Sequence, residues 1–174
     1  VTHSTTKYMD GHGAAVGGCI VDSGNFDWMA HADKFPGLTT PDDSYHGVTY
    51  AERFGKEGAF ITKATAQLMR DFGSTPSPQS AFMLNLGLES LHVRMERHCA
   101  NAQKVAEFLA AHPAVAKVYY PGLESFEGYE IAKKQMHGGF GGMMSVDIKG
   151  GMDAVRVVMN NVKVFTLATS LGNV

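Results

Sequence analysis

The densest cluster of reactive side chains lies in the first eight residues. His3-Ser4-Thr5-Thr6-Lys7-Tyr8 is followed by Gly11-His12-Gly13 and by Gly17-Gly18. Lysine is the side chain that forms imines with carbonyl cofactors. Ser4 and Thr6 stand two residues apart just before it, and in an extended stretch such residues point to one side. Their hydroxyls can donate jointly to a phosphate while Lys7 reaches another atom of the same cofactor. The nearby glycines let the backbone pass close to a flat ring. The combination fits a pyridoxal phosphate site. A solvated Ser/Thr-rich turn ending in lysine fits the same letters, and residue types alone do not separate the two.

Other chemistries fit less well. Ser4-x-x-Lys7 matches the nucleophile signature of penicillin-binding proteins and β-lactamases. The Ser-Asp-Asn and Lys-Thr-Gly partners of that mechanism do not occur in the sequence, nor does Gly-x-Ser-x-Gly. The histidines (His3, His12, His31, His46, His92, His98, His112 and His137) form no His-Glu-x-x-His helix, and no Cys-x-x-Cys pair accompanies them. No metal site is predicted. Cys19 and Cys99 are too few for a disulfide framework, so a reduced, cytoplasmic setting is the default expectation.

These side chains need elements to carry them. Cys19-Ile20-Val21, closed by Asp22-Ser23-Gly24, reads as a buried strand ending in a turn. Residues 26–32 read as a short helix, and 31–46 as an irregular segment with turn signals at Pro36-Gly37 and Pro41-Asp42-Asp43. Helical spacing covers 48–72 with an interruption at Gly55–Gly58, and Gly73 follows as a stop. Ser77 is the expected cap of a helix opening at Pro78. A long helical pattern covers 81–111, read as two helices meeting near Gly87 and ending at His112-Pro113. Strands are expected at 115–120, 143–148 and 162–168, with helices at 129–136 and 152–159 between them. That outline is a small α/β layer. The domain boundary is placed inside the long helix, with residues 1–92 in one domain and 93–174 in the other.

Composition narrows the class. With 174 residues, 44% hydrophobic and 18% charged, the chain can fill a core and is not expected to be disordered. A net charge of −2 without Lys/Arg runs gives no field for nucleic acid. No apolar stretch has the length of a membrane span. The chain opens Val1-Thr2-His3 without Met and stops directly after an apolar run, so it is expected to be an internal piece of a longer protein.

Several strings in register resemble one family. His3 to His12, continuing to Gly17-Gly18, is similar to the lysine motif of the Cys/Met-metabolism PLP-dependent enzymes. Gly87-Leu88-Glu89-Ser90-Leu91, Arg94-Met95-Glu96-Arg97-His98 and Asn101-Ala102 resemble that family's central helix. Tyr120-Pro121-Gly122-Leu123 and Gly139-Phe140-Gly141-Gly142-Met143 resemble the start of its C-terminal domain. Phe165 to Gly172 resembles its substrate-facing serine loop. Phe35 to Gly47 is similar to the inserted loop of the O-acetylhomoserine sulfhydrylase branch.

The resemblance implies an α/β fold of the PLP-dependent transferase type I (aspartate aminotransferase-like) kind. The chain would cover the end of the large domain and most of the small C-terminal domain. It implies pyridoxal 5'-phosphate as cofactor, with Lys7 as the imine-forming lysine and proton-moving base. Ser4 and Thr6 would hold the phosphate. Ser170 and Leu171 would lie at the substrate, with Gly172 shaping the loop. The implied reaction is γ-replacement on O-acetyl-L-homoserine by sulfide or a thiol. Methionine γ-lyase and cystathionine γ-synthase activities are the alternatives within the family, and an inactive assembly fragment is the alternative outside it. The family's ring-stacking tyrosine, pyridine-nitrogen aspartate and Gly-rich phosphate loop precede its lysine motif, and its carboxylate-binding arginine follows its serine loop. The piece alone is therefore expected to be inactive. A homotetramer built from dimers with shared sites is also implied.

Overall fold

A computed structural model describes residues 1–172. The chain divides into two compact units. One comprises Val1–Thr6 and Ala15–Phe82; the other comprises Lys7–Ala14 and everything from Met83 onward.

In the first unit, β1 (Thr2–Ser4) and β2 (Gly18–Ile20) pair antiparallel, Thr2 opposite Ile20 and Ser4 opposite Gly18. A 3-10 turn at Met29–His31 leads to α1 (Pro36–Thr39) and a second 3-10 turn at Asp43–Tyr45. The helical run expected over 48–72 has three parts: α2 (Tyr50–Thr62), a π-helical stretch (Lys63–Met69) and α3 (Arg70–Phe72). The interruption falls at Gly55, whose φ of 63° and ψ of −176° are non-helical and accessible to glycine. Gly73 ends the run in the left-handed conformation, as a C-terminal stop should. Leu38, Tyr50, Ala51 and Ala59 form the core, with Trp28, Tyr45, Phe54 and Phe60 packed on it.

A polar chain joins the 35–47 segment to the π stretch. Lys63 donates to the Gly37 carbonyl at 2.7 Å and to Asp42 Oδ2 at 2.6 Å. Ser44 Oγ donates to Asp42 Oδ1 at 2.6 Å and receives a short bond from the Gln67 amide. The buried Tyr50 hydroxyl donates to Gln67 Oε1 at 2.9 Å. The segment expected to be irregular is thus partly helical and tied down by side chains.

α4 (Pro78–Ala111) begins within the first unit, and from Met83 onward it is the long helix of the second. Ser77 caps it as expected, its Oγ accepting the Ser80 amide at 3.1 Å. β3 (Val115–Tyr119) pairs antiparallel with β4 (Ser145–Ile148), with a register irregularity between Val115 and Lys117. α5 (Tyr129–Gln135) lies between them in sequence, and α6 (Gly151–Asn161) follows. Ala102, Ala106, Val118 and Tyr120 are the core, packed by Leu109, Phe140, Met144 and Val146 among others.

Three expectations need correction. No helix break occurs at Gly87: α4 is continuous, and the glycine is buried where a Cβ would overlap the Asp10 carbonyl. It serves a close approach rather than a kink. Residues 162–168 form no strand, although they are an apolar run of strand length. A strand exists by its ladder, and among the described residues β3 and β4 pair only with each other. The third correction concerns β2, which is not buried: Ile20 is 45% exposed.

Both units yield tests. The Tyr120 ring is fully buried and its hydroxyl donates to the Gly141 carbonyl at 2.9 Å. Tyr120→Phe is predicted to cost about 1 kcal/mol by leaving that carbonyl unpaired. Tyr120→Ala, which also leaves a cavity, is predicted to cost about 3–5 kcal/mol. Urea unfolding measures both. In the first unit the bond from Lys63, then that from Ser44, holds the Asp42 carboxyl below its ordinary value. A carboxyl lowered on folding stabilises the fold above its unfolded value of about 4, and that contribution is lost as pH falls through the folded value. Lys63→Met is therefore predicted to lower the urea midpoint at neutral pH but to flatten its further fall towards about pH 3. Equal acid sensitivity in both proteins would show the pair to be silent.

Candidate functional site

The residues around Lys7 are positioned by α4 and by the turn that follows the lysine. The Gly11 amide donates to the Lys7 carbonyl at 2.8 Å, closing the turn, and Gly11 has a φ of 71°. Asp10 is buried at its floor, with Oδ2 accepting the Ala14 amide at 2.9 Å and the His12 amide at 3.4 Å. The turn rests on α4 at Gly87. Arg94, one and a half to two turns further along the helix, reaches back to it: Nη1 donates to the Tyr8 carbonyl at 2.7 Å and Nη2 to the Met9 carbonyl at 3.4 Å. Nη2 also donates to the Gly87 carbonyl at 2.7 Å, and Nε donates to Ser90 Oγ at 3.0 Å.

Lys7 itself is half-buried, and its Nζ donates to the Ser170 hydroxyl at 3.0 Å across 163 positions of sequence. The two residues that the family resemblance puts at the reaction centre are therefore in contact. The loop that carries Ser170 sits against the lysine turn. A Cβ on Gly172 would lie 2.9 Å from the Tyr8 nitrogen and 3.2 Å from the Lys7 carbonyl carbon, a space that glycine leaves open. Leu171 is 38% exposed beside them. Tyr8 packs edge-on to His98 with ring centroids 5.4 Å apart. Burial first, then the nearby Cys99 thiol, pushes the Tyr8 phenol above its ordinary value. It stays a neutral hydrogen-bonding group at physiological pH.

Ser4 and Thr6 belong to the first unit and behave differently there. Ser4 ends β1 with its side chain exposed. Thr6 already lies in the turn, so the extended geometry that would align the two hydroxyls stops at Ser4. Thr6 Oγ1 accepts the Gly17 amide at 3.0 Å and donates to the Gly17 carbonyl at 3.3 Å. The Thr5 amide donates to that same carbonyl at 3.0 Å.

Arg94 escaped the sequence reading as a site residue, because its spacing places it with the charged face of an amphipathic helix. Its partners lie 85 and 86 positions away, where no local pattern records them. The buried glycine about two turns before it was the available signal. Among the described residues, no group of three or more His, Cys, Asp or Glu side chains could hold a metal ion, and no helix is long and apolar enough to cross a membrane.

The geometry agrees with the chain's relatives. A homocysteine synthase of Schizosaccharomyces pombe is 45% identical over 174 residues, which is 100% of this chain and 40% of that protein. An O-acetyl-L-homoserine sulfhydrylase of Leptospira meyeri is 42% identical over 99% of this chain and 40% of its own length. A crystal structure from Campylobacter jejuni, named as an O-acetylhomoserine (thiol)-lyase and holding a pyridoxyl-lysine phosphate, superposes with a TM-score of 0.85 at 34% identity. The match covers 99% of this chain and 42% of that one. The chain thus spans about 40% of the length of these curated relatives. Its α/β fold is the type I fold of PLP-dependent transferases, as the sequence led us to expect. The family profile for Cys/Met metabolism PLP-dependent enzymes matches residues 1–174, and the chain belongs to that family.

Proposed function

We propose that this chain supplies the lysine and the serine loop of a site for γ-replacement on O-acetyl-L-homoserine. Sulfide or a thiol is the incoming group, and homocysteine (or a related thioether) and acetate are the products. The observation that carries the reading is the 3.0 Å contact between Lys7 Nζ and Ser170 Oγ. It is supported by the sulfhydrylase and synthase names of the relatives.

The residues present suit pyridoxal phosphate. Lys7 is a half-buried amine whose partner Ser170 is an uncharged, displaceable hydroxyl rather than a structural clamp. Bound there, the cofactor supplies an electron sink for charge developing on substrate carbon. Lys7 Nζ would be the group that holds it covalently, and as a free amine Nζ would move protons at the substrate carbons. Ser170 Oγ receives the hydrogen bond of the free amine and keeps it near the reacting atoms. Leu171 flanks the substrate. Ser4, exposed at the end of β1, is the readier phosphate donor of the upstream pair. Thr6 takes that role by releasing the Gly17 carbonyl.

In this reading residues 1–92 are the C-terminal part of the cofactor-binding domain and 93–174 the small domain. The complete enzyme is a cytoplasmic homotetramer of dimers with shared sites.

Borohydride reduction followed by peptide mass analysis of the complete enzyme tests the assignment. The expected result is a pyridoxyl adduct on Lys7. Lys7→Ala should lack it and should lose about 10²–10⁴-fold or more of sulfide-dependent turnover of O-acetylhomoserine. An adduct on another lysine, or none, refutes the site. Release of α-ketobutyrate from methionine in preference to sulfide consumption would move the activity to the lyase branch.

A further inference from the structure

We propose that Arg94 is a positioning residue for Lys7, its guanidinium fixing on α4 the turn that aims the lysine side chain. The inference rests on the reading of Lys7 as the cofactor lysine.

The chemistry of the contact is specific. A guanidinium carries five N–H donors in a fixed plane and no acceptor. Here its bonds go to the Tyr8, Met9 and Gly87 carbonyls and the Ser90 hydroxyl. Ser90 Oγ in turn donates to the Gly87 carbonyl at 3.3 Å, which orients its lone pairs towards Arg94 Nε. Two of the bonded carbonyls belong to the two residues directly after Lys7. With those peptide planes held and the Lys7 carbonyl bonded to Gly11, the lysine keeps little freedom except in its side chain.

The surroundings are cut to fit. A Cβ at Gly11 would overlap the Arg94 guanidinium, and one at Gly87 would overlap the Asp10 carbonyl. Turn and helix reach backbone contact because Gly87 lacks a side chain, and the guanidinium occupies the space that a side chain on Gly11 would take. On the other side, Gly172 closes on Tyr8 and Lys7. A group that must form one bond and then shuttle protons depends on placement to within fractions of an ångström. The arrangement supplies that placement from a rigid helix rather than from a loop.

The test compares the complete wild-type enzyme with Arg94→Met and Arg94→Lys. Hydrogen exchange at the Gly11 amide in cofactor-free protein reads the turn directly. In the loaded enzyme, circular dichroism of the visible imine band, per mole of bound cofactor, reads how firmly the lysine is aimed. In Arg94→Met the Gly11 amide is expected to exchange at least about tenfold faster while β3 amides keep their protection. The ellipticity per bound cofactor is expected to fall at least about twofold. Arg94→Lys, whose single ammonium lacks the planar fork, is expected to fall between the two. If Arg94→Met fails to fold, the lysine variant decides alone. Wild-type values in a folded variant overturn the inference, as does loss of protection that is equal at Gly11 and in β3, which marks a general stability role. A wild-type enzyme with no borohydride-trapped adduct on Lys7 overturns the cofactor reading and this inference with it. An adduct in wild type with unperturbed variants overturns only the inference.

Discussion

The satisfaction of main-chain carbonyls where a turn lies flat on a helix is the constraint from which the site follows. Backbone groups removed from water need partners. A helix offers none along its side, because its own N–H groups bond four residues back. When the Lys7 turn settles on α4 at Gly87, the Tyr8 and Met9 carbonyls therefore require a donor from a side chain. Arg94 provides it from the same helix. Remove the donor and the close approach at Gly87 loses its compensation. Restore bulk at Gly87 and the approach is lost first.

The first unit solves a comparable problem with a chain of polar side chains instead of a single fork. Lys63, Asp42, Ser44, Gln67 and Tyr50 bond in sequence, so a long connection between elements is held by side chains rather than by a ladder. The buried Gln67 sits in the π stretch, a helical form that recurs at positions with special demands. An aromatic layer of Trp28, Phe35 and Phe60 backs the same segment, with Trp28 stacked on Phe60 at 5.9 Å and edge-on to Phe35 at 5.2 Å. The apolar layer is non-directional, and the polar chain selects one arrangement of the loop upon it.

What the sequence made legible follows local physics. Ser77-Pro78, Gly73 and Gly55 were readable because caps, stops and breaks depend on one or two residues. The strands at 115–119 and 145–148 were readable from alternation. The strand expected at 162–168 failed because an apolar run of strand length does not make a ladder: Val164 is 91% exposed, with no strand paired beside it among the described residues. Gly87 was misread as a break because glycine in a helix signals either weakness or proximity, and the neighbour that decides between them lies in the distant Met9–Asp10 segment. The Lys7–Ser170 contact was accessible only through resemblance, since no local pattern spans 163 positions.

Thr6 shows how residue type and residue role part company. A threonine hydroxyl has one proton and two lone pairs. In this structure the proton points at the Gly17 carbonyl and a lone pair receives the Gly17 amide. The hydroxyl thereby staples the turn after β1 to Gly17. It can serve a phosphate only by turning its proton away from Gly17, whose carbonyl keeps its bond from the Thr5 amide. That second bond lowers the cost of the exchange, because the carbonyl is never left without a partner. Thr6 is thus set to change partners, whereas the exposed Ser4 can donate without giving anything up.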